Sequence, residues 1–139
     1  MRWAWLVLPL AIMACTTTAQ QAVVPERTLE TTLNSTGQGD VIRANVRVHT
    51  AGRETALSIA IADGRPGATY PWHLHAGPCP GGAIVGPVAA YPPLTPDGGG
   101  NATASAIINV GLDPNARYHV NVHQSPTELD RVIACGELP

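Results

Sequence analysis

The amino-acid sequence predicts an all-β domain, a Greek-key β-sandwich or barrel of seven or eight strands. No long segment repeats its apolar residues at the 3.6-residue period of an amphipathic helix. Short runs alternate apolar and polar residues instead, as half-buried strands do. Clusters of Gly, Pro, Asn and Asp separate these runs at a spacing that is typical of antiparallel sandwiches and barrels.

The first three strands are expected to form a hairpin and its neighbour. Residues 28–35 and 41–50 flank a turn at 37–40 that contains Gly and Asp, so these two strands are predicted to pair. In residues 54–62 bulky apolar side chains alternate with Ala and Ser, which predicts a strand with one buried face. The turn cluster at 63–67 ends this part of the sheet.

The second part of the domain begins with a strand that contains His73 and His75. Residues 76–100 follow as a long loop rich in Gly and Pro, with one short strand expected near 84–90. A loop of this length in a compact domain is usually functional or disordered. Here the loop contains Cys79, so we expect it to be tied down. The last three strands are predicted over residues 102–110, 117–123 and 131–138.

Two histidine patterns predict a transition-metal site. Successive side chains of a strand point to opposite faces, so His73 and His75 leave their strand on the same side. His119, Asn121 and His123 share one face of the later strand, whose other face is apolar. Two such strands laid near each other would bring three or four imidazoles together, a set that suits copper or zinc better than calcium or magnesium.

We therefore predict His73, His75 and His123 as metal ligands and His119 as a further candidate. The alternative for the first pair is a set of polar residues on a half-exposed strand. The alternative for His119 is a structural histidine that is hydrogen-bonded within the sandwich. His49, the fifth histidine, ends a separate strand among polar residues and is interpreted as a surface residue.

Charge and motif content argue against several functions. The chain has 8 Lys plus Arg against 10 Asp plus Glu, a formal net charge of −2, and none of its basic residues is lysine. We therefore expect no basic patch, which argues against nucleic-acid binding. The sequence also lacks the G-x-S-x-G elbow of serine hydrolases and the Lys-Ser/Thr that completes a phosphate-binding loop.

Residues 1–14 are expected to be a lipoprotein signal peptide, because a positive residue precedes an apolar run that is too short to span a bilayer. The small residue before Cys15 resembles a bacterial lipobox, in which the cysteine is lipidated. Residues 15–27 would then tether a domain at 28–139 to a membrane. The residue after Cys15 is not the aspartate associated with inner-membrane retention, so we expect an outer-membrane lipoprotein that faces the periplasm. An ordinary signal peptide cleaved near residues 19–20, which gives a soluble periplasmic or secreted protein, is the alternative.

Export implies an oxidising compartment, in which disulfides persist. If Cys15 carries lipid, Cys79 and Cys135 remain, and an even pair in that setting predicts a disulfide. Two separate thiols are the alternative. A bridge between these cysteines would close a long loop and stabilise the fold by roughly 4 kcal/mol in the chain-entropy estimate.

Ordered motifs between residues 28 and 138 resemble the strands of a known family. The motif His73-Leu74-His75 with Cys79 nearby resembles the strand that carries two copper ligands and a disulfide cysteine in the copper/zinc superoxide dismutases. Asn121-Val122-His123 resembles the strand with another copper ligand, and Cys135-Gly136 resembles the closing strand with the second cysteine. The resemblance implies an immunoglobulin-like Greek-key β-sandwich, superoxide dismutase-like, with copper as cofactor and superoxide as substrate.

Two departures from this family bear on activity. Its zinc subloop supplies a bridging histidine and further zinc ligands, whereas no histidine lies between His75 and His119 here. The resemblance therefore implies copper without zinc. The active-site arginine of the family lies three residues before the last-strand cysteine, where this chain has Val132. Arg131, one residue earlier, is the remaining catalytic candidate, and a bulge would be needed to turn it toward the site.

A second resemblance is to CHRD domains, which share a His-x-His-x-Gly strand. Gly86-Pro87-Val88, Asn121-Val122-His123 and Gly136-Glu137-Leu138 are similar to their pattern, while the cysteine pair favours the dismutase family. Three functions are therefore expected as alternatives. They are a copper-dependent superoxide dismutase, a non-enzymatic protein that binds or delivers copper in the cell envelope, and a metal-free CHRD-like interaction module.

Overall fold

The computed structural model describes Met1 and residues 25–139. Apart from Met1, the predicted signal peptide lies outside the described residues, as do Cys15 and residues 16–24 of the tether. The described chain forms seven strands and one short 3-10 helix, so the all-β prediction is confirmed. The strands are β1 (Arg27–Ser35), β2 (Arg43–Ala51), β3 (Glu54–Ala62), β4 (Trp72–Ala76), β5 (Ala102–Ile108), β6 (Tyr118–His123) and β7 (Val132–Glu137).

All seven strands belong to one curled antiparallel sheet with the order β4-β6-β7-β1-β2-β3-β5. Strand β1 joins the two halves of this sheet. Its residues Arg27 to Leu33 pair with β2, and Asn34 and Ser35 then pair with β7. The strands β4 and β6 are neighbours at one edge, although β4 ends at Ala76 and β6 begins only at Tyr118.

The core lies between the two halves of the curled sheet. Leu57, Ile59 and Ile61 of β3 point into it, as the period of two in the sequence predicts. On the other half Trp72 and Leu74 of β4 are fully buried. Because these two side chains occupy the core face of β4, the histidines between and beside them must lie on its outer face.

The expected short strand near residues 84–90 does not form. Ile84 makes one isolated bridge to His75, and Val88–Ala90 is a 3-10 helix. Gly86 has a positive φ of 78°, and Pro87 has no N–H to donate to a ladder, so the backbone cannot continue as a strand there. The described residues include no helix with the length and hydropathy of a membrane span.

A half-buried carboxylate fixes the turn that follows β6. Asp40 accepts hydrogen bonds from the Tyr70 hydroxyl at 2.6 Å and from the Gln124 side chain at 3.1 Å. These bonds, with the one from Tyr70 as the larger contribution, hold the pKa of the Asp40 carboxyl below its usual range. Because Gln124 directly follows His123, this network positions the end of β6.

Candidate metal centre

His73, His75 and His123 converge on the outer face of the sheet edge formed by β4 and β6. One ring nitrogen from each residue lies within 4.8 Å of the other two. The closest pair is Nδ1 of His73 and Nε2 of His123, at 3.2 Å. The three residues are only 3%, 7% and 4% exposed, respectively, so the cluster is buried although it lies outside the core.

The antiparallel pairing of β4 with β6 produces this convergence. His73 lies opposite Asn121, and His75 lies opposite His119. A register shift between Val122 and His123 interrupts the pairing of β6 with β7. The backbone N–H of His123 then donates to the carbonyl of Pro71, just before β4, at 2.8 Å. This last bond places His123 beside His73.

Residues 77–82, called the strap below, cover the histidine face. The carbonyl of Gly82 accepts a hydrogen bond from Nδ1 of His75 at 3.0 Å, and the carbonyl of Gly77 accepts one from Nδ1 of His119 at 2.7 Å. The carbonyl of Pro80 accepts a bond from the Asn121 amide nitrogen at 2.7 Å. Three hydrogen bonds therefore hold the strap over the histidine face.

A disulfide fastens the strap to the sheet. Cys79 is bonded to Cys135 of β7, with a Cα–Cα distance of 6.0 Å. The backbone N–H of Cys79 also donates to Oε1 of Glu137 at 3.2 Å, and the other oxygen of Glu137 lies 2.6 Å from the guanidinium of Arg117. The long loop after β4 is thus tied down over the histidines.

The hydrogen bond to Gly82 fixes the tautomer of His75. A carbonyl oxygen only accepts, so Nδ1 carries the proton, and Nε2 of the neutral ring keeps its lone pair. Within the described part of the chain this buried Nε2 has no hydrogen-bond partner. Metal-binding histidines commonly donate their second ring nitrogen to a backbone carbonyl in this way. The unpartnered lone pair fits a metal ligand.

Burial keeps all three imidazoles neutral at ordinary pH. Desolvation, followed by the nearby His123 and His75 rings, lowers the pKa of His73 to about 4. Burial is also the largest cause that lowers the pKa of His75 and of His123. Neutral imidazole is the form that binds a metal ion, so these groups need not lose a proton first.

The metal-free protein should lose stability as pH falls from about 6.5 toward 4. The pKa of His73 is about 4 in the folded state against 6.5 for an ordinary imidazole. In this window the unfolded state binds more protons, so acid favours unfolding. The loss for His73 alone is at most about 3 kcal/mol. Urea unfolding at several pH values measures this loss. In the His73→Gln variant the free energy of unfolding should fall less between pH 6.5 and 5 than it does in the parent protein. If the free energy of unfolding depends on pH in the same way in both proteins, the loss does not come from His73.

His119 lies beside the three-histidine group and outside it. Its side chain is fully buried, and its ring stacks on that of His75 with centroids 5.2 Å apart and planes 20° apart. Its Nδ1 is engaged by the strap, and its ligand nitrogen is not among those within 4.8 Å of one another. The structure therefore places His119 in contact with one member of the group, as a hydrogen-bonded histidine of the same face.

The remaining candidates lie on the surface. His49 is exposed and contacts Thr28 at 3.2 Å and Glu26 at 3.5 Å, as expected of a surface residue. The side chain of Arg131 is 49% exposed, and its guanidinium lies 3.1 Å from Glu128. The structure thus pairs Arg131 with a carboxylate and does not bring it into the histidine group.

Tyr91, which no sequence pattern identifies as a site residue, packs against the cluster. Its ring centroid lies 5.4 Å from that of His73 and 5.3 Å from that of Trp72, both nearly edge-on. Its hydroxyl donates to the carbonyl of Val85 at 2.6 Å, and burial raises its pKa to about 12. Tyr91 therefore stays neutral and closes one side of the site with an apolar ring. It lies in an irregular loop where no periodicity marks buried residues.

Gly82→Ala should displace the strap. Gly82 has a φ of 102°, and an added Cβ would overlap the carbonyl oxygen of Ala76. We expect the free energy of unfolding to fall by about 2 kcal/mol and metal affinity to fall by roughly 10- to 100-fold, because His75 loses its acceptor. Urea unfolding and metal titration measure both changes. Gly81→Ala is the matched control, since no heavy atom lies within 4 Å of a Cβ there. Equal behaviour of the two variants would show that strap geometry does not matter.

The donor set of the cluster suits a borderline or soft cation. Its nitrogens are all imidazole nitrogens, and no carboxylate of the described residues belongs to the group. The cluster can therefore hold a transition-metal ion. No protein-family model, curated protein or solved structure matches this chain.

Proposed function

We propose that this protein is an exported copper-binding lipoprotein, similar to the superoxide dismutases, that dismutates superoxide at His73, His75 and His123. The observation that carries the proposal is the buried cluster of three ring nitrogens within 4.8 Å of one another. The lipid anchor at Cys15 and the outer-membrane location rest on the sequence motif alone.

Copper is the metal that this donor set favours. Among divalent first-row metals, sites made of nitrogen donors bind Cu(II) most tightly, and Zn(II) binds less tightly. A set of three imidazoles would also suit Cu(I). The unpartnered lone pair on Nε2 of His75 supports the fit, because a buried acceptor without a donor is unfavourable until a cation meets it.

The chain itself supplies binding, orientation and exclusion of water. The strap fixes the ring of His75 through Gly82, and Tyr91 packs against the ring of His73. Bound copper would supply one-electron transfer, by which two superoxide ions and two protons would be converted to one dioxygen and one hydrogen peroxide.

A non-enzymatic copper protein is the second candidate, and the burial of the site favours it. The three histidines are at most 7% exposed, so a superoxide anion has little open surface through which to reach them. The guanidinium of Arg131 is paired with Glu128 at 3.1 Å, which weakens its attraction for an anion. Both features suit retention of a metal ion better than rapid turnover.

Metal content and superoxide removal, measured on the same exported protein, separate the candidates. We expect about one copper per chain and superoxide removal that depends on this copper. One copper without turnover would support the storage or delivery protein. Zinc bound in preference to copper would contradict the copper assignment. A protein that binds neither metal would overturn the proposal and leave the metal-free interaction module.

A further inference from the structure

Asn121 presents a buried oxygen that the three-histidine group does not account for. Its side chain is 1% exposed, and among the described residues its Oδ1 has no hydrogen-bond partner. The amide nitrogen donates to the carbonyl of Pro80 at 2.7 Å, and this bond fixes which end of the amide carries the oxygen. The unpartnered atom is therefore an acceptor held in a defined orientation.

The position of Asn121 in the sheet is next to the metal ligands. It lies directly opposite His73 of β4 and directly opposite Cys135 of β7. Along β6 it shares one face with His119 and His123, two residues away on either side. Cβ atoms of directly opposed residues in antiparallel strands are about 5 Å apart, so the side chains of Asn121 and His73 reach the same space.

The two rings that are bonded to the strap do not offer Asn121 a free donor. The Nδ1 atoms of His75 and His119 already donate to the strap, and the Nε2 atoms of the same two rings are themselves without partners in the part of the chain described. The contact between His73 and His123 uses one of the two ring N–H groups of that pair, which leaves at most one donor. The unpartnered acceptors around Asn121 therefore outnumber the donors. A cation compensates several acceptors at once, whereas a single hydrogen-bond donor compensates one.

We infer that Oδ1 of Asn121 is a fourth donor to the metal ion, which completes a set of three imidazole nitrogens and one amide oxygen. The inference rests on the proposed copper site at His73, His75 and His123. Mixed nitrogen and oxygen sets are typical of Cu(II), whereas Cu(I) is favoured by softer ligands. Asn121 therefore stabilises the oxidised form and sets the balance between the two oxidation states.

Asn121→Leu tests this role, because leucine has a similar shape and no donor atoms. We expect the Kd for Cu(II) to rise at least tenfold and the Kd for Cu(I) to change by less than about threefold. A tenfold difference between the two states raises the one-electron reduction potential by about 59 mV. Competition titrations with chelators for each state measure the affinities, and electron paramagnetic resonance of the Cu(II) protein reports the change in donor set. Asn45→Leu, at an exposed strand position, is the control.

The Asn121→Asp substitution distinguishes the role of the side-chain oxygen from that of the hydrogen bond to Pro80, since aspartate keeps an oxygen and loses the N–H donor. We expect this variant to bind Cu(II) at least as tightly as the parent protein. Weaker Cu(II) binding by Asn121→Asp would overturn the inference. If the leucine variant does not fold, the Cu(II) affinity of the aspartate variant is the test. An unchanged affinity and spectrum in Asn121→Leu would also overturn it. In either case the histidine site stands if the parent protein binds copper, whereas a parent without copper removes the proposed function itself.

Discussion

Replacing His123 with alanine is expected to abolish copper binding. The residue provides one of three clustered donors, and its Nε2 lies 3.2 Å from Nδ1 of His73. Substitutions in the shell around a metal ligand typically reduce affinity by 10- to 100-fold, so the loss of a ligand itself should exceed about 100-fold. Equilibrium dialysis of the purified variant against buffered copper measures the change. Superoxide removal, if the parent protein has it, should disappear in the same variant.

His49→Ala is the matched control for this experiment. It removes an imidazole from a strand of the same domain, but His49 is exposed and contacts Glu26 and Thr28 instead of the cluster. We expect its copper affinity to equal that of the parent protein. A protein that loses copper equally with either substitution would show that copper binds to histidines without regard to the cluster, and the site assignment would fail.

Removing the disulfide is expected to lower the free energy of unfolding by about 4 kcal/mol. Cys79 and Cys135 are 56 residues apart in sequence, so the bridge restricts a long loop of the unfolded chain. This loss is large compared with the 5–15 kcal/mol that stabilises a typical domain. The double variant Cys79→Ser, Cys135→Ser avoids a lone thiol. Urea unfolding compares it with the parent protein at neutral pH.

The same variant should bind copper less tightly, because the disulfide fastens the strap whose Gly82 carbonyl orients His75. The parent protein kept in reductant provides the control, and it should match the double variant in both stability and copper affinity. If the double variant unfolds at the same urea concentration as the oxidised parent, the disulfide contributes nothing to the fold. A stable variant with full copper affinity would show that the strap holds without the bridge.

Local patterns in the sequence were sufficient to predict most of the strands and the three-histidine group. The period of two places His73 and His75 on one face and Trp72 and Leu74 on the other, and this alternation does not depend on the rest of the fold. Residues 54–62 were predicted as a strand with the same bounds that β3 has. Pairing of β4 with β6 then required only that the two apolar faces share one core.

Among the remaining features, one prediction failed for a local reason and two roles depend on contacts between distant segments. The predicted strand near 84–90 was wrong because its apolar residues are interrupted by Gly86 and Pro87, which end the ladder after one bridge. The role of His119 could not be assigned from its position on β6, since it depends on where the carbonyl of Gly77 lies. The unpartnered oxygen of Asn121 depends in the same way on Pro80. The positions of backbone carbonyls in a loop leave no pattern in the amino-acid sequence, so these two contacts could not be predicted from it.

The distance in sequence between β4 and β6 determines when the three-histidine cluster can form. His73 and His123 are 50 residues apart, and β6 is the strand that must pair with β4 before the third imidazole arrives. At 5–20 residues per second, synthesis of that interval takes roughly 3–10 seconds. By the end of this time the ribosome has added the strap to His73 and His75, and only then is His123 synthesised. A metal ion could therefore bind to the full cluster only after both strands have been synthesised.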